Sequence, residues 1–184
     1  MWLVGQILIG IGYAVYIISR FLKTKKNMLL WDNLSRVTDV VGYILFGNIN
    51  GIEHTIFGIV RNEAYRHITC NAIKHIAFVV LLATIGIMYG FAFEGISTIF
   101  FIVGNVFLLV STAYGNEQGV RLGTIGACIC NIPAFLLITN YTGLVGEAIC
   151  FVMTIIAYFK NKENSHEGNN VSTNQSNSGI SLPR

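Results

Sequence analysis

Seven apolar stretches separated by short polar connections run along this chain, at about 2–19, 31–47, 50–64, 73–91, 96–114, 121–139 and 142–159. Most are near the lower end of the roughly 17–25 residues that a helix needs to cross a bilayer. The pattern predicts an all-α membrane protein with seven transmembrane helices. From Glu163 onward the chain turns polar and low in complexity. Too little apolar surface remains there to form a core, so 163–184 is expected to be a disordered tail.

Two of the hairpins look like copies of one unit. LFGNINGI (Leu45 to Ile52) follows a stretch carrying Asp39, and LITNYTGL (Leu137 to Leu144) follows one carrying Asn131. Asp39 pairs with Asn131, Asn48 with Asn140 and Gly51 with Gly143, all at an offset of 92 residues. Gly5-Gln6 is matched to Gly104-Asn105 at an offset of 99, the difference being assigned to a longer lysine-rich loop in the first copy. Three helices, one linker and three more helices give two repeats of the same orientation, related by an axis along the membrane normal. The expected units are 1–66, a linker helix at 67–94, a second repeat at 95–162, and the tail.

Composition supports the membrane reading. The chain is 53% hydrophobic and 11% charged, against about 25% charged in soluble domains. A net charge of +3 is too small to point to nucleic acid. The basic residues read instead as topology signals. Lys23, Lys25 and Lys26 fall in the first connection, Arg61, Arg66 and Lys74 in the third, and Arg121 in the fifth; Lys160 and Lys162 follow the last span. The second, fourth and sixth connections hold no Lys or Arg, the fourth carrying only Glu94. By the positive-inside rule the N-terminus lies outside and the C-terminus in the cytoplasm. The start of the chain has no basic region before its apolar run, so a cleavable signal peptide is not expected.

The candidate chemistry is sparse. Asp39 lies mid-span, where a carboxylate costs about 2.5–3.5 kcal/mol unless it faces a cavity or partner. Asn131 sits at the matching depth and Asn105 mid-span in the fifth helix. These three form the expected floor of a polar, substrate-binding site, with Glu147 one turn inside the outer end of the seventh helix. Pro133, two residues after Asn131, removes a helix hydrogen bond and is the candidate hinge. Glu53 and His54 point about 100° apart on a helix and do not make a metal site. His67 and His75 flank a cytoplasmic loop. Cys70, Cys128, Cys130 and Cys150 lack zinc-site spacing and read as small apolar residues. No nucleophile-base pair, phosphate loop or cofactor motif is present, so neither an enzyme nor a cofactor is expected.

The Gly5-Gln6 start, the hairpin closing on GNINGI, and IVRN at Ile59 to Asn62 resemble the YgjV family of bacterial inner-membrane proteins, over about residues 2–160. That family is distantly similar to the SWEET, SemiSWEET and PQ-loop transporters. The resemblance implies a 3+1+3 helical plan in the bacterial inner membrane, with a sugar-like solute bound between the halves. It departs from them in having no Pro-Gln motif and a single intramembrane proline, Pro133. The expected partners are the lipid bilayer and a small polar solute, with a homo-oligomer allowed. The alternative is a non-transporting receptor or partner-binding subunit on the same fold.

Overall fold

The computed structural model describes residues 2–46, 49–91, 93, 95–137 and 141–177. Gly47, Asn48 and Asn140 of the repeated turns, and Glu94, lie outside the described residues, as does the side chain of Glu53. The described chain is helical throughout: α1 (Trp2–Arg20), α2 (Lys25–Phe46), α3 (Ile49–His67), α4 (Asn71–Phe91), α5 (Ile96–Tyr114), α6 (Glu117–Leu137) and α7 (Tyr141–Asn177). The last helix continues through most of the polar segment that begins at Glu163.

The ends of these helices follow local rules. The α1 helix tightens as it closes, with Phe21 N–H bonded to the Ile18 carbonyl and Leu22 N–H to that of Ser19. Asn116 starts α6 by accepting the Gly119 N–H at 2.9 Å on its side-chain oxygen, an N-cap bond that satisfies one orphan donor. Gly95 precedes α5 with φ of 96°, a left-handed conformation that glycine adopts without a Cβ penalty. Pro133 lies inside α6, which runs on past it to Leu137.

The helices are inside-out relative to those of a soluble protein. On α5 the buried face carries Ser97, Thr98, Gly104, Asn105, Ser111 and Thr112, while Ile96, Ile99, Val103, Phe107 and Val110 face outward. That outward stripe recurs every three to four residues, the spacing of one helix face. The α2 helix does the same, with Leu30, Leu34, Val37, Val41 and Ile44 outside and Asp32, Asn33, Ser35 and Arg36 buried. An apolar exterior this continuous fits a hydrocarbon solvent rather than water.

Five helices, α1, α4, α5, α6 and α7, are long and apolar enough to cross a membrane. The α2 and α3 helices, expected as spans from the sequence, fall outside that set. Their buried charges depress the average although their exposed faces are apolar. Arg61, expected in the third connection, lies inside α3 and is buried. Lys25 and Lys26 likewise belong to the first turn of α2 rather than to a loop.

Packing is largely sequential: α1 against α2, α2 against α3, α5 against α6, and α6 against α7. Across the molecule α1 meets α7, α3 meets α5, and α2 meets α6. The α4 helix lies against α5 and α3, closing a core of Leu29, Phe57, Tyr65, Leu81, Ile85, Leu109 and Ala113. Close approach depends on small residues. A side chain at Gly123 would meet the Ser111 side chain and, at 3.0 Å, the Phe107 carbonyl, so α5 and α6 touch backbone to backbone. By contrast Gly86 and Gly90 of α4 have nothing within 4 Å of where a Cβ would stand.

One end of the bundle gathers connections 21–24, 68–70 and 115–116. Lys25 Nζ donates to the Gly115 carbonyl at 2.8 Å, the Lys25 N–H donates to Glu117 at 3.2 Å, and the His75 ring bonds the Tyr114 hydroxyl at 2.8 Å. Burial, and then the neighbouring Lys74 ammonium, push the Lys25 amine below its ordinary range.

Candidate functional site

The bundle interior near that basic end is ionic. Asp32 and Arg36 are four residues apart on one face of α2, so both point inward. Arg20 ends α1 and reaches Asp32 Oδ1 at 3.3 Å; Arg36 Nε stands 3.7 Å from Asp32 Oδ2. From α3, Asn62 donates its amide to Asp32 Oδ2, and its own carbonyl oxygen accepts Arg61 Nε and Nη2 at 3.1 and 2.9 Å. The Tyr16 ring lies under the Arg20 guanidinium at 4.2 Å, within cation–π range. Gly58 makes room for Arg36, whose guanidinium would meet any side chain placed there. Three guanidiniums thus surround one carboxylate. Arg20 and Arg61 are 1% exposed, Asp32 2% and Arg36 9%.

A fourth arginine supports this cluster from outside. Arg121 of α6 donates Nε to the Arg20 carbonyl at 2.8 Å and Nη2 to the Leu22 carbonyl at 2.7 Å. It closes the Arg20 carbonyl, which the end of α1 leaves without a helical partner, and the Leu22 carbonyl in the connection beyond, and places a cation at the negative end of the helix.

The next layer, further from the basic end, joins α1, α2, α6 and α7. Asn131 donates its amide to Glu147 Oε1 at 3.2 Å, and the Cys128 thiol also hydrogen-bonds Glu147. Tyr13 lies over Gly146, where a Cβ would be 2.5 Å from its ring, and within Coulombic range of Glu147, Tyr43 and Asp39. Asp39 is set against Gly12 of α1, and Asn131 against Gly104 of α5. The buried oxygens Asp39 Oδ1 and Asn131 Oδ1 have no hydrogen-bond partner. Unsatisfied buried oxygens are uncommon and mark positions where a ligand or water belongs.

Asn105 stands apart from that layer. Its amide donates to the Tyr89 hydroxyl and to the Phe101 carbonyl, both at 2.9 Å, and the Tyr89 hydroxyl meets His54 Nδ1 at 2.9 Å. So Asn131 and Glu147 are in direct contact, Asp39 lies with Glu147 in Coulombic range of Tyr13, and Asn105 belongs to a separate triangle between α3, α4 and α5. Among the described residues no group of three or more His, Cys, Asp or Glu side chains is placed to hold a metal. The four cysteines are free thiols.

Sequence reasoning missed Arg20, Asp32, Arg36, Asn62 and Tyr89, and read Arg61 and Arg121 only as topology signals. A signal was present. Asp32, Arg36 and Asp39 recur at four and three residues on one face of a helix whose other face is apolar. Ionisable groups so placed in a membrane helix mark a functional interior.

Fold and interior together define a class: a helical, membrane-embedded protein with a charged and polar core. No protein-family model matches the chain, and no curated protein or solved structure shows significant similarity to it.

Proposed function

We propose that this protein is a small-solute transporter or facilitator of the bacterial inner membrane, built as two parallel triple-helix repeats joined by α4. The observation that carries this reading is a pair of interior carboxyl groups, Asp39 from the first half and Glu147 from the second. Neither forms an ion pair with any described cation. Carboxyls held in a bundle interior without an ion pair are suited to binding a hydroxyl-rich solute or to carrying a proton.

The repeat has support from contacts that recur at an offset of 92 residues. Gly12 with Asp39 corresponds to Gly104 with Asn131. Arg36 against Gly58 corresponds to the Cys128 thiol beside the Cys150 thiol. Tyr13 over Gly146 corresponds to Asn105 beside His54. The starts of α2 and α6, and of α3 and α7, differ by the same 92. Exchanging the halves turns the α1–α7 contact into α5–α3 and returns α2–α6 to itself, as a two-fold axis requires. These contacts favour Gly12, rather than Gly5, as the partner of Gly104, and the seven-residue difference in offset is then unnecessary. The resemblance to the YgjV family, and through it to the SWEET-like plan, points the same way. In this reading the basic end faces the cytoplasm, the N-terminus faces outward, and Pro133 is the hinge of the second half.

The test is flux into proteoliposomes across a panel of neutral sugars, polyols and amino acids, with Asp39→Asn and Glu147→Gln beside wild type. At least one solute should enter in a protein-dependent manner and slow in both variants. Entry of every solute at the protein-free rate would remove the transport reading and favour the receptor.

A further inference from the structure

The Arg20–Arg36–Arg61 cluster carries more positive charge than the one carboxylate paired with it, Asp32, compensates. Three guanidiniums face one carboxylate, Asp32, and the amide of Asn62 is neutral. The other acidic groups in Coulombic range, Asp39 and Glu147, form no ion pair with them. Against Asp32 alone the three guanidiniums leave an excess of two buried cations, which is costly unless something opposes it.

The donors tell the same story. Arg20 Nε, Arg36 Nε and Arg61 Nη1 are all buried, and none has a hydrogen-bond partner. The 3.7 Å between Arg36 Nε and Asp32 is too long for a hydrogen bond. One unpaired N–H in such a cluster is an irregularity. Three, one on each arginine, outnumber the single oxygen of that carboxylate, Asp32 Oδ1, which is likewise buried without a hydrogen-bond partner. Guanidinium is the side chain best matched to planar, multi-oxygen anions, because its N–H groups form a fixed fork. A residual charge of two, presented by three free donors, matches a phosphate dianion with three terminal oxygens.

We propose that Arg20, Arg36 and Arg61 form a binding site for a phosphate group, carried by inorganic phosphate or by a small phosphorylated solute. Asp32 holds the three arginines in register while the site is empty, and competes with the ligand for them. Gly58 keeps open the place that the Arg36 guanidinium occupies. The site is one layer nearer the basic end than Asp39 and Glu147, and it stands whether or not the protein moves solutes.

The test is thermal unfolding of the full-length protein, purified in a neutral detergent, titrated with inorganic phosphate against chloride at equal ionic strength. Phosphate should raise the melting temperature saturably and chloride should not. Arg36→Gln should weaken the apparent phosphate affinity by about tenfold or more, the loss of one charge-assisted contact. Arg66→Gln, at the half-exposed pair with Glu63, should leave it unchanged. Asp32→Asn removes the competing carboxylate and should tighten phosphate binding. A parallel arm uses nanodiscs of phosphatidylcholine with and without phosphatidic acid. Stabilisation confined to phosphatidic acid, and lost in Arg36→Gln, would assign the same chemistry to a lipid headgroup. Equal responses to phosphate and chloride in wild type, with no effect of phosphatidic acid, would overturn the proposal. So would a phosphate response unaltered in Arg36→Gln. If neither variant folds, the wild-type titrations decide it alone. Failure of flux in proteoliposomes leaves this result untouched, so the two readings fail separately.

Discussion

Arg121 offers a clean separation of two roles that one positive charge can play. As a topology signal it needs only its charge, and Lys would serve as well. As a strut it needs its fork, because Nε and Nη2 reach two carbonyls, of Arg20 and Leu22, at 2.8 and 2.7 Å. Each charge-assisted bond contributes about 1.5–3 kcal/mol net. Leu22 is only half-buried, so its carbonyl regains some hydration when the arginine is removed. The low end of that range is then appropriate, and Arg121→Ala should cost about 3 kcal/mol. For a chain of this length that corresponds to a fall in melting temperature of about 6–12 °C. Arg121→Lys, with one ammonium able to serve one carbonyl well, should recover roughly half of the loss. The assay is thermal unfolding in detergent, alongside a reporter fused to the C-terminus to monitor orientation. With Arg121 acting as a strut, orientation survives in the Lys variant while stability does not fully return. Full recovery of stability by Lys, or an Ala variant melting within about 2 °C of wild type, would refute it.

Two further outcomes follow from packing and from exposure. Gly123→Val should destabilise the protein by about 2 kcal/mol or more in chemical unfolding, since the added carbons meet Ser111 and the Phe107 carbonyl; Gly86→Ala, in open space on α4, should be neutral or slightly stabilising. Cys70 is the exposed thiol, with Cys128 and Cys150 buried. The backbone N–H groups of Ile73 and then Ala72 hold it below its ordinary range by stabilising the thiolate. A membrane-impermeant maleimide should therefore label Cys70 from the basic end alone, and the rate should fall off at a lower pH than for a free thiol. Labelling of intact cells from outside would reverse the proposed orientation.

How much of this was legible in the sequence depends on which face of a helix carried the signal. The seven helices were readable because membrane helices leave long apolar runs, although α2 begins at Lys25 rather than near 31 and α6 at Glu117 rather than near 121. The Asp39–Asn131 correspondence was readable because polar residues are rare enough to stand out against such runs. The Gly12–Gly104 correspondence was not, because one glycine among many has no visible partner until Asp39 and Asn131 are seen packed against the two. The arginine cluster was hidden for a different reason. Charge counts assign Arg61 and Arg121 to loops, since each lies within a few turns of a connection, and sequence distance to a helix end does not say whether a side chain points out or in. On α2, Asp32 and Arg36 lower the average apolarity enough that the helix reads as a weak span, yet its lipid-facing stripe is as apolar as that of α5. Hydropathy adds the two faces together, whereas the bilayer sees only one and the binding chemistry only the other. A weakly apolar helix between strongly apolar neighbours is therefore the place to look for the interior chemistry. In this chain α2 supplies Asp32, Arg36 and Asp39, a member of each of the two ionisable layers.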